Sequence, residues 1–215
     1  MIIINNNEYF IAHVGVKGMK WGVRKKEHSS DEIMIKKGSE IHRVIPKSWL
    51  EKEKTYSGHA YASFKPEDVK QYKNFAKMFG GGNNYVDMTF KAKHNIISPS
   101  EKKRVDEFIK LMDSNPKARD AMIKATRNPI LFMPKNRLNK LDDPAQAQKA
   151  YNKFSYLLVS QRDLRDPYFK QLEKQGYSMI MDDADINGGL SSAPVIIFDR
   201  RKSLSIKEIQ DINKQ

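Results

Sequence analysis

Alternation of apolar and polar positions is clearest from Tyr85 to Lys93, where Val86, Met88, Phe90 and Ala92 interleave with Asp87, Thr89, Lys91 and Lys93. A period of two predicts a strand with one buried and one wet face. Shorter β-branched or aromatic runs predict strands at Ile33-Met34-Ile35, at 41–45 before Pro46, at 59–64, at 177–181 and at 195–198. Elsewhere the period lengthens to that of a helix. Val105, Phe108, Ile109 and Met112 recur at i, i+3, i+4 and i+7. Asp143-Pro144 opens a helix carrying Ala147, Ala150, Tyr151, Phe154, Leu157 and Leu158 on one side. Pro66 opens another, with a stripe of Val69, Tyr72, Ala76 and Phe79 stopped by Gly80-Gly81-Gly82. A shorter helix follows Pro116 and ends before Pro129, and Asp166-Pro167 starts one that Gly176 ends. Ser205 with Glu208 reads as a capping box for a last short helix.

The order is strands, helix, strand, several helices, then strands. This predicts an α+β fold with a small mixed or antiparallel sheet core and inserted helices, not a regular βαβ alternation. Residues 1–31 lack periodicity and are expected to form a flexible basic arm ahead of a domain spanning 32–215. No run approaches the roughly 18 apolar residues of a membrane span, so no membrane partner is expected. Met1-Ile2-Ile3-Ile4 is too short for the core of a secretory leader.

Charge and composition narrow the chemistry. The net charge is +13, which favours nucleic acid or anionic partners through long-range attraction. No helix-turn-helix, zinc finger or aromatic single-strand platform accompanies it. The absence of cysteine excludes disulfides and thiolate metal sites and fits a reducing compartment. The histidines are dispersed, and no metal site is expected.

The arm contains His13-Val-Gly-Val-Lys-Gly-Met-Lys-Trp-Gly-Val-Arg24, whose three glycines disfavour any regular element. This string resembles a tag that recurs in proteins of tailed phages and prophages of Gram-positive bacteria. The resemblance implies a phage-derived protein, with the 13–24 arm as a docking or processing tag for phage head proteins.

Candidate chemistry sits on the first strands. His42 and Arg43 are expected on opposite faces of their strand, and Tyr61 and Ser63 on one shared face of theirs. Arg43 is a rigid bidentate donor suited to a pyrophosphate or carboxylate. A plainer reading pairs Arg43 with an acid and uses Ser63 to cap the next helix. Asp182, Asp183 and Asp185 crowd one turn, so they want a cation or cationic substrate, or else open water.

A strand bearing Arg43, then Tyr61-Ala-Ser-Phe64 running into a helix, is similar to the opening of ADP-ribosyltransferase domains. Gly176-Tyr-Ser-Met-Ile180 followed by Pro194-Val-Ile-Ile-Phe-Asp199 resembles their closing strands. The resemblance implies NAD as co-substrate and transfer of ADP-ribose to a host protein or nucleic acid, in the host cytoplasm or from the virion. On it, Arg43 would hold phosphates and ribose and Ser63 would shape the nicotinamide pocket. A variant of the family would use His42 and Tyr61 instead, and the sequence leaves both pairs open. The family's glutamate ahead of the last strand is replaced by Ser192-Ala193-Pro194, so the acid is expected from Asp182, Asp183 or Asp185, or catalysis is lost. The alternative is a non-enzymatic phage structural or head-morphogenesis protein, and a third reading is a basic nucleic-acid-associated protein.

Overall fold

The computed structural model describes residues 2–5, 8–11, 32–78, 84–127, 133–189 and 191–212. Strands β1 (Ile2–Asn5), β2 (Glu8–Ile11), β3 (Ile33–Ile35), β4 (Glu40–Pro46), β5 (Ala60–Ser63), β6 (Tyr85–Ala92), β7 (Ile96–Ser98), β8 (Met179–Met181), β9 (Pro194–Ile197) and β10 (Leu204–Asp211) build two sheets. Helices are α1 (Leu50–Thr55), α2 (Asp68–Met78), α3 (Glu101–Ser114), α4 (Pro116–Ala125), α5 (Pro144–Leu157), α6 (Arg162–Glu173), α7 (Asp183–Asn187) and α8 (Arg200–Ser203). The fold is α+β, as expected.

One sheet has the order β2-β1-β3-β7 and the other β10-β6-β4-β5-β9-β8. Neighbours run antiparallel except β1 and β3, which are parallel. The two sheets meet where the Ser178 amide donates to the Ile97 carbonyl at 3.1 Å. The β3–β4 turn closes on Gly38, whose φ of +88° suits a residue without Cβ. Gly176, at φ +91°, ends α6 as expected.

Two apolar cores stabilise this arrangement. Phe108, Tyr151, Phe154, Tyr168 and Leu172 of the helices pack on Ile180, Ile196 and Phe198. Ile41, Met88, Phe90, Met179, Val195 and Ile197 pack together among the strands. Burying side chains of this size contributes roughly 1.5–3 kcal/mol each before the entropy of ordering them is charged.

Several local expectations are corrected. Residues 2–5 and 8–11 of the expected arm form an antiparallel hairpin, and β1 continues into the sheet through β3. The remainder of that arm, including the 13–24 string, lies outside the described residues, as do Phe79 and Gly80-Gly81-Gly82. β6 has no wet face at Asp87 and Thr89, because both are buried beside His42 of β4. Ser205 and Glu208 belong to β10, which pairs with β6 with a register shift between Ile206 and Glu208. Cross-strand pairing of seven residues outweighs a local capping signal. α6 begins at Arg162, so Pro167 lies inside it and does not start it. The 182–194 connection contains the short α7.

A candidate ligand cavity beside the β4–β5 join

The six-stranded sheet is joined unevenly. β4 pairs with β6 over seven residues but with β5 through one registered pair, His42 with Ser63. β5 instead pairs with β9 from Ala60 to Ser63. Beside this narrow join lies a cavity of about 260 Å³, lined by Arg43, Trp49, Lys52, Glu53, Tyr56, His59 and Tyr61.

The chain builds the cavity by folding back on itself. Pro46 ends β4, a single 3-10 turn at Lys47–Trp49 follows, and α1 carries Glu53 back to β4. Arg43 Nη2 donates to Glu53 Oε1 at 3.0 Å, with both side chains largely buried. Arg200 fixes the C-terminal end of α1. Its Nη2 donates to the Glu53 carbonyl at 2.6 Å and to the Tyr56 carbonyl. Gly58 permits the Tyr56 ring to fold close, since a Cβ there would collide with the Tyr56 hydroxyl. His59 packs edge-on to Tyr56, Tyr61 and Phe169. The Tyr61 hydroxyl donates to the Leu158 carbonyl at 3.2 Å, tying β5 to the end of α5.

The electrostatics are mixed. Burial pushes the Arg43 guanidinium below its ordinary range, and Glu53 opposes that shift. Burial, with the charges of Arg165 and Arg43, lowers His59 to about 4, so its imidazole is neutral at physiological pH. Burial raises the Tyr61 phenol above its usual value, with Asp182 adding to the shift. Four buried side-chain atoms have no hydrogen-bond partner among the described residues: Arg43 Nη1 and Glu53 Oε2 of this pair, and His42 Nε2 and Asp87 Oδ1 of the neighbouring one.

Arg43 and Tyr61 thus share one cavity, and the other residues singled out from the sequence do not join them. His42 lies against Asp87, with Nδ1 2.9 Å from Oδ2, and near Thr89. Opposite faces of the strand separate it from Arg43, as alternation requires. Ser63 donates to Asp68 Oδ2 at 2.6 Å and to the Ala193 carbonyl at 3.2 Å. Asp68 also receives the hydroxyl of Ser191 and the amide of Ala193, so Ser63 helps anchor α2 and the 191–193 turn.

The three aspartates are divided among separate contacts, and none lines the cavity. Asp182 accepts from the amides of Ala184 and Asp185 at the start of α7. Burial first, then Asp185, raises it to about 7. Asp183 is held by Arg104 and receives the Tyr151 hydroxyl at 2.7 Å. Asp185 receives the Tyr72 hydroxyl at 2.7 Å, and burial raises its carboxyl. The expected convergence of Arg43, Ser63 and one of these acids does not occur. The acid beside Arg43 is Glu53, which periodicity does not single out. The visible signals are a run of helix formers at Leu50-Glu51-Lys52-Glu53 and closely spaced rings at Tyr56, His59 and Tyr61.

Among the described residues no group of His, Asp and Glu is arranged to hold a metal ion, and no helix is long and apolar enough to cross a membrane. In comparisons with known proteins, the model of a family of unknown function, DUF7211, matches residues 5–28, which span β2 and the glycine-rich string. No curated protein and no solved structure matches the chain.

Proposed function

We propose that the chain is a phage-encoded, ADP-ribosyltransferase-like protein that binds NAD in the Arg43–Tyr61 cavity and passes ADP-ribose to a host protein or nucleic acid. One observation carries the reading: a buried arginine, an acid and a set of aromatic rings surround a single cavity. The donor set suits NAD. Arg43 offers a rigid guanidinium, Lys52 adds a cation, and Tyr56, Tyr61 and Trp49 supply ring faces. A volume of about 260 Å³ is below the roughly 300–1,000 Å³ typical of sites for whole drug-sized ligands. The cavity therefore takes one ring-bearing end of a dinucleotide and leaves the other towards solvent.

Within this reading Glu53 takes the place of the acid expected from Asp182, Asp183 or Asp185. A carboxylate beside the bond to nicotinamide would stabilise positive charge developing on the ribose. Incubation of the full-length protein with NAD labelled in its adenylate half and a host lysate tests the proposal. Label transfer and nicotinamide release are expected, both reduced by about 10²–10³ in Arg43→Ala, the range for loss of one charge-stabilising group. Absence of transfer, of nicotinamide release and of NAD binding would overturn it.

The alternative, a non-enzymatic phage structural protein with the 13–24 string as its docking tag, draws support from a different observation. All three aspartates are committed to holding the fold, and Glu53 is already paired with Arg43. Under that reading NAD binds without turnover, or not at all, and the protein co-purifies with phage head proteins.

A further inference from the structure

Three segments far apart in the chain meet at the end of the six-stranded sheet where β4 and β10 begin and β6 ends. The Gly38 amide donates to the Ala92 carbonyl at 2.8 Å, and the Lys93 amide to the Ser203 carbonyl at 2.8 Å. The Lys37 amide donates to Asn95 Oδ1 at 3.0 Å. Residues 36–40, 91–95 and 199–207 thus form one rim. It carries six exposed cations: Lys37, Lys91, Lys93, Arg201, Lys202 and Lys207. The Lys93 ammonium donates to the Arg201 carbonyl at 2.6 Å, which holds two of these residues side by side.

Charge on the rim is not balanced as it is on the helices. There Lys102 is matched to Asp106, Lys110 to Glu107 and Arg162 to Asp166. On the rim the carboxylates of Glu40 and Asp199 pair with Lys207 and Lys202. Lys37, Lys91, Lys93 and Arg201 form no ion pair with a described carboxylate. Like charges gathered in this way repel one another, and an anionic partner relieves the repulsion. Among the described residues of the rim, Ile206 is the one exposed large apolar side chain, and no exposed Phe, Tyr or Trp accompanies the cations. That composition offers no ring faces for unpaired bases and no apolar stripe for a bilayer. It suits phosphates.

We infer that this rim docks the phosphate backbone of a nucleic-acid duplex without reading its sequence. Arg201 and the lysines neutralise neighbouring phosphates and release their counterions. The rim uses none of the cavity residues, so the inference stands apart from the NAD reading.

Fluorescence anisotropy of the full-length protein with short labelled DNA and RNA duplexes, between about 50 and 200 mM salt, tests it. Each phosphate contact contributes about −0.9 to the slope of log affinity against log salt. Lys93→Gln/Arg201→Gln should therefore make the slope shallower by about 2 and weaken binding by about tenfold or more at low salt. Lys37→Gln/Lys91→Gln should do the same, and it tests the rim even where the first variant fails to fold. Such a loss with either duplex upholds the inference, and the duplex bound more tightly identifies the source of the phosphates. Lys117→Gln/Lys124→Gln removes the same charge from exposed positions on α4, whose packing partners are α3 and α6, and should leave the slope in place. An equal loss in this α4 variant would show attraction by net charge alone and overturn the inference. No binding to either duplex would also overturn it. Rim-dependent binding to phosphatidylserine vesicles, with none to either duplex, would mark a lipid-binding surface and overturn it as well.

Discussion

Arg104 holds Asp183 through two parallel hydrogen bonds, Nε to Oδ2 at 2.9 Å and Nη2 to Oδ1 at 2.7 Å. The pair ties α3 to α7 across 79 residues of chain, and a third bond from Tyr151 brings in α5. Both side chains are nearly buried. Removing one partner of such a pair strands the other, at a cost of about 3–5 kcal/mol. Asp183→Asn should therefore lower the denaturant midpoint sharply. A shift no larger than that of an exposed ion pair such as Lys102–Asp106 would contradict the assignment of Asp183 to the fold.

Asp182 behaves in the opposite sense. Its folded value of about 7 lies above the ordinary carboxyl value of 3.8, so the folded state holds a proton that the unfolded chain releases. Its favourable contribution is fully present below pH 3.8 and is lost as pH rises through 7. Asp182→Asn keeps the acceptor for the Ala184 and Asp185 amides and has no charge to bury. Thermal melts should show the variant on the order of 5–10 °C more stable than wild type at pH 8.5, with the gap closing towards pH 5. A constant gap across that range would refute the burial argument.

Asp68 is the hub of the turn that closes β5 onto β9. It receives Ser63, Ser191 and the Ala193 amide. Burial opposes its ionisation, but these hydrogen bonds prevail and hold its carboxyl below the ordinary range. That contribution is present above about pH 3.8 and is lost as pH falls through the lowered folded value. Asp68→Ala should cost about 2–3 kcal/mol at pH 7, in the range for hydrogen bonds to charged groups. Urea unfolding at pH 7 measures it directly, and a change under 0.5 kcal/mol, the size typical of an uninvolved surface position, would count against the hub.

Gly58, by giving room to the Tyr56 ring, and Tyr61 both shape the cavity wall. Tyr61→Phe removes the bond to the Leu158 carbonyl and should cost about 1 kcal/mol. Gly58→Ala forces the Tyr56 ring from its place and should weaken NAD binding by about tenfold or more while lowering stability less than Asp183→Asn does. Unchanged NAD affinity in Gly58→Ala would show that Tyr56 is not part of the binding surface.

The α+β layout was legible because its longest elements carry clean periods: the alternation in β6, the 3.6-residue stripes of α3 and α5. Misreadings arose where a partner far along the chain decides the outcome. Asp87 and Thr89 read as a wet face because the residue that buries them, His42, lies on another strand. Glu208 reads as a cap because its pairing with Thr89 is invisible locally. The candidate site was half legible. Arg43 and Tyr61 announce themselves by residue type on predicted strands, whereas Glu53 acquires meaning only when α1 folds back on β4. The three aspartates misled for a related reason. Proximity along the chain suggested a shared task, and the helix turn at 183–187 sends each carboxylate to a different partner.

The central claim is that the cavity beside Arg43 binds NAD. Equilibrium titration of NAD into the wild type and Arg43→Ala, with Trp21→Phe in both so that Trp49 on the cavity wall reports alone, tests it most directly. Saturable quenching of Trp49 in the first protein, weakened by at least about tenfold in the second, is the predicted result. An identical response in both, or none in either, would contradict the account.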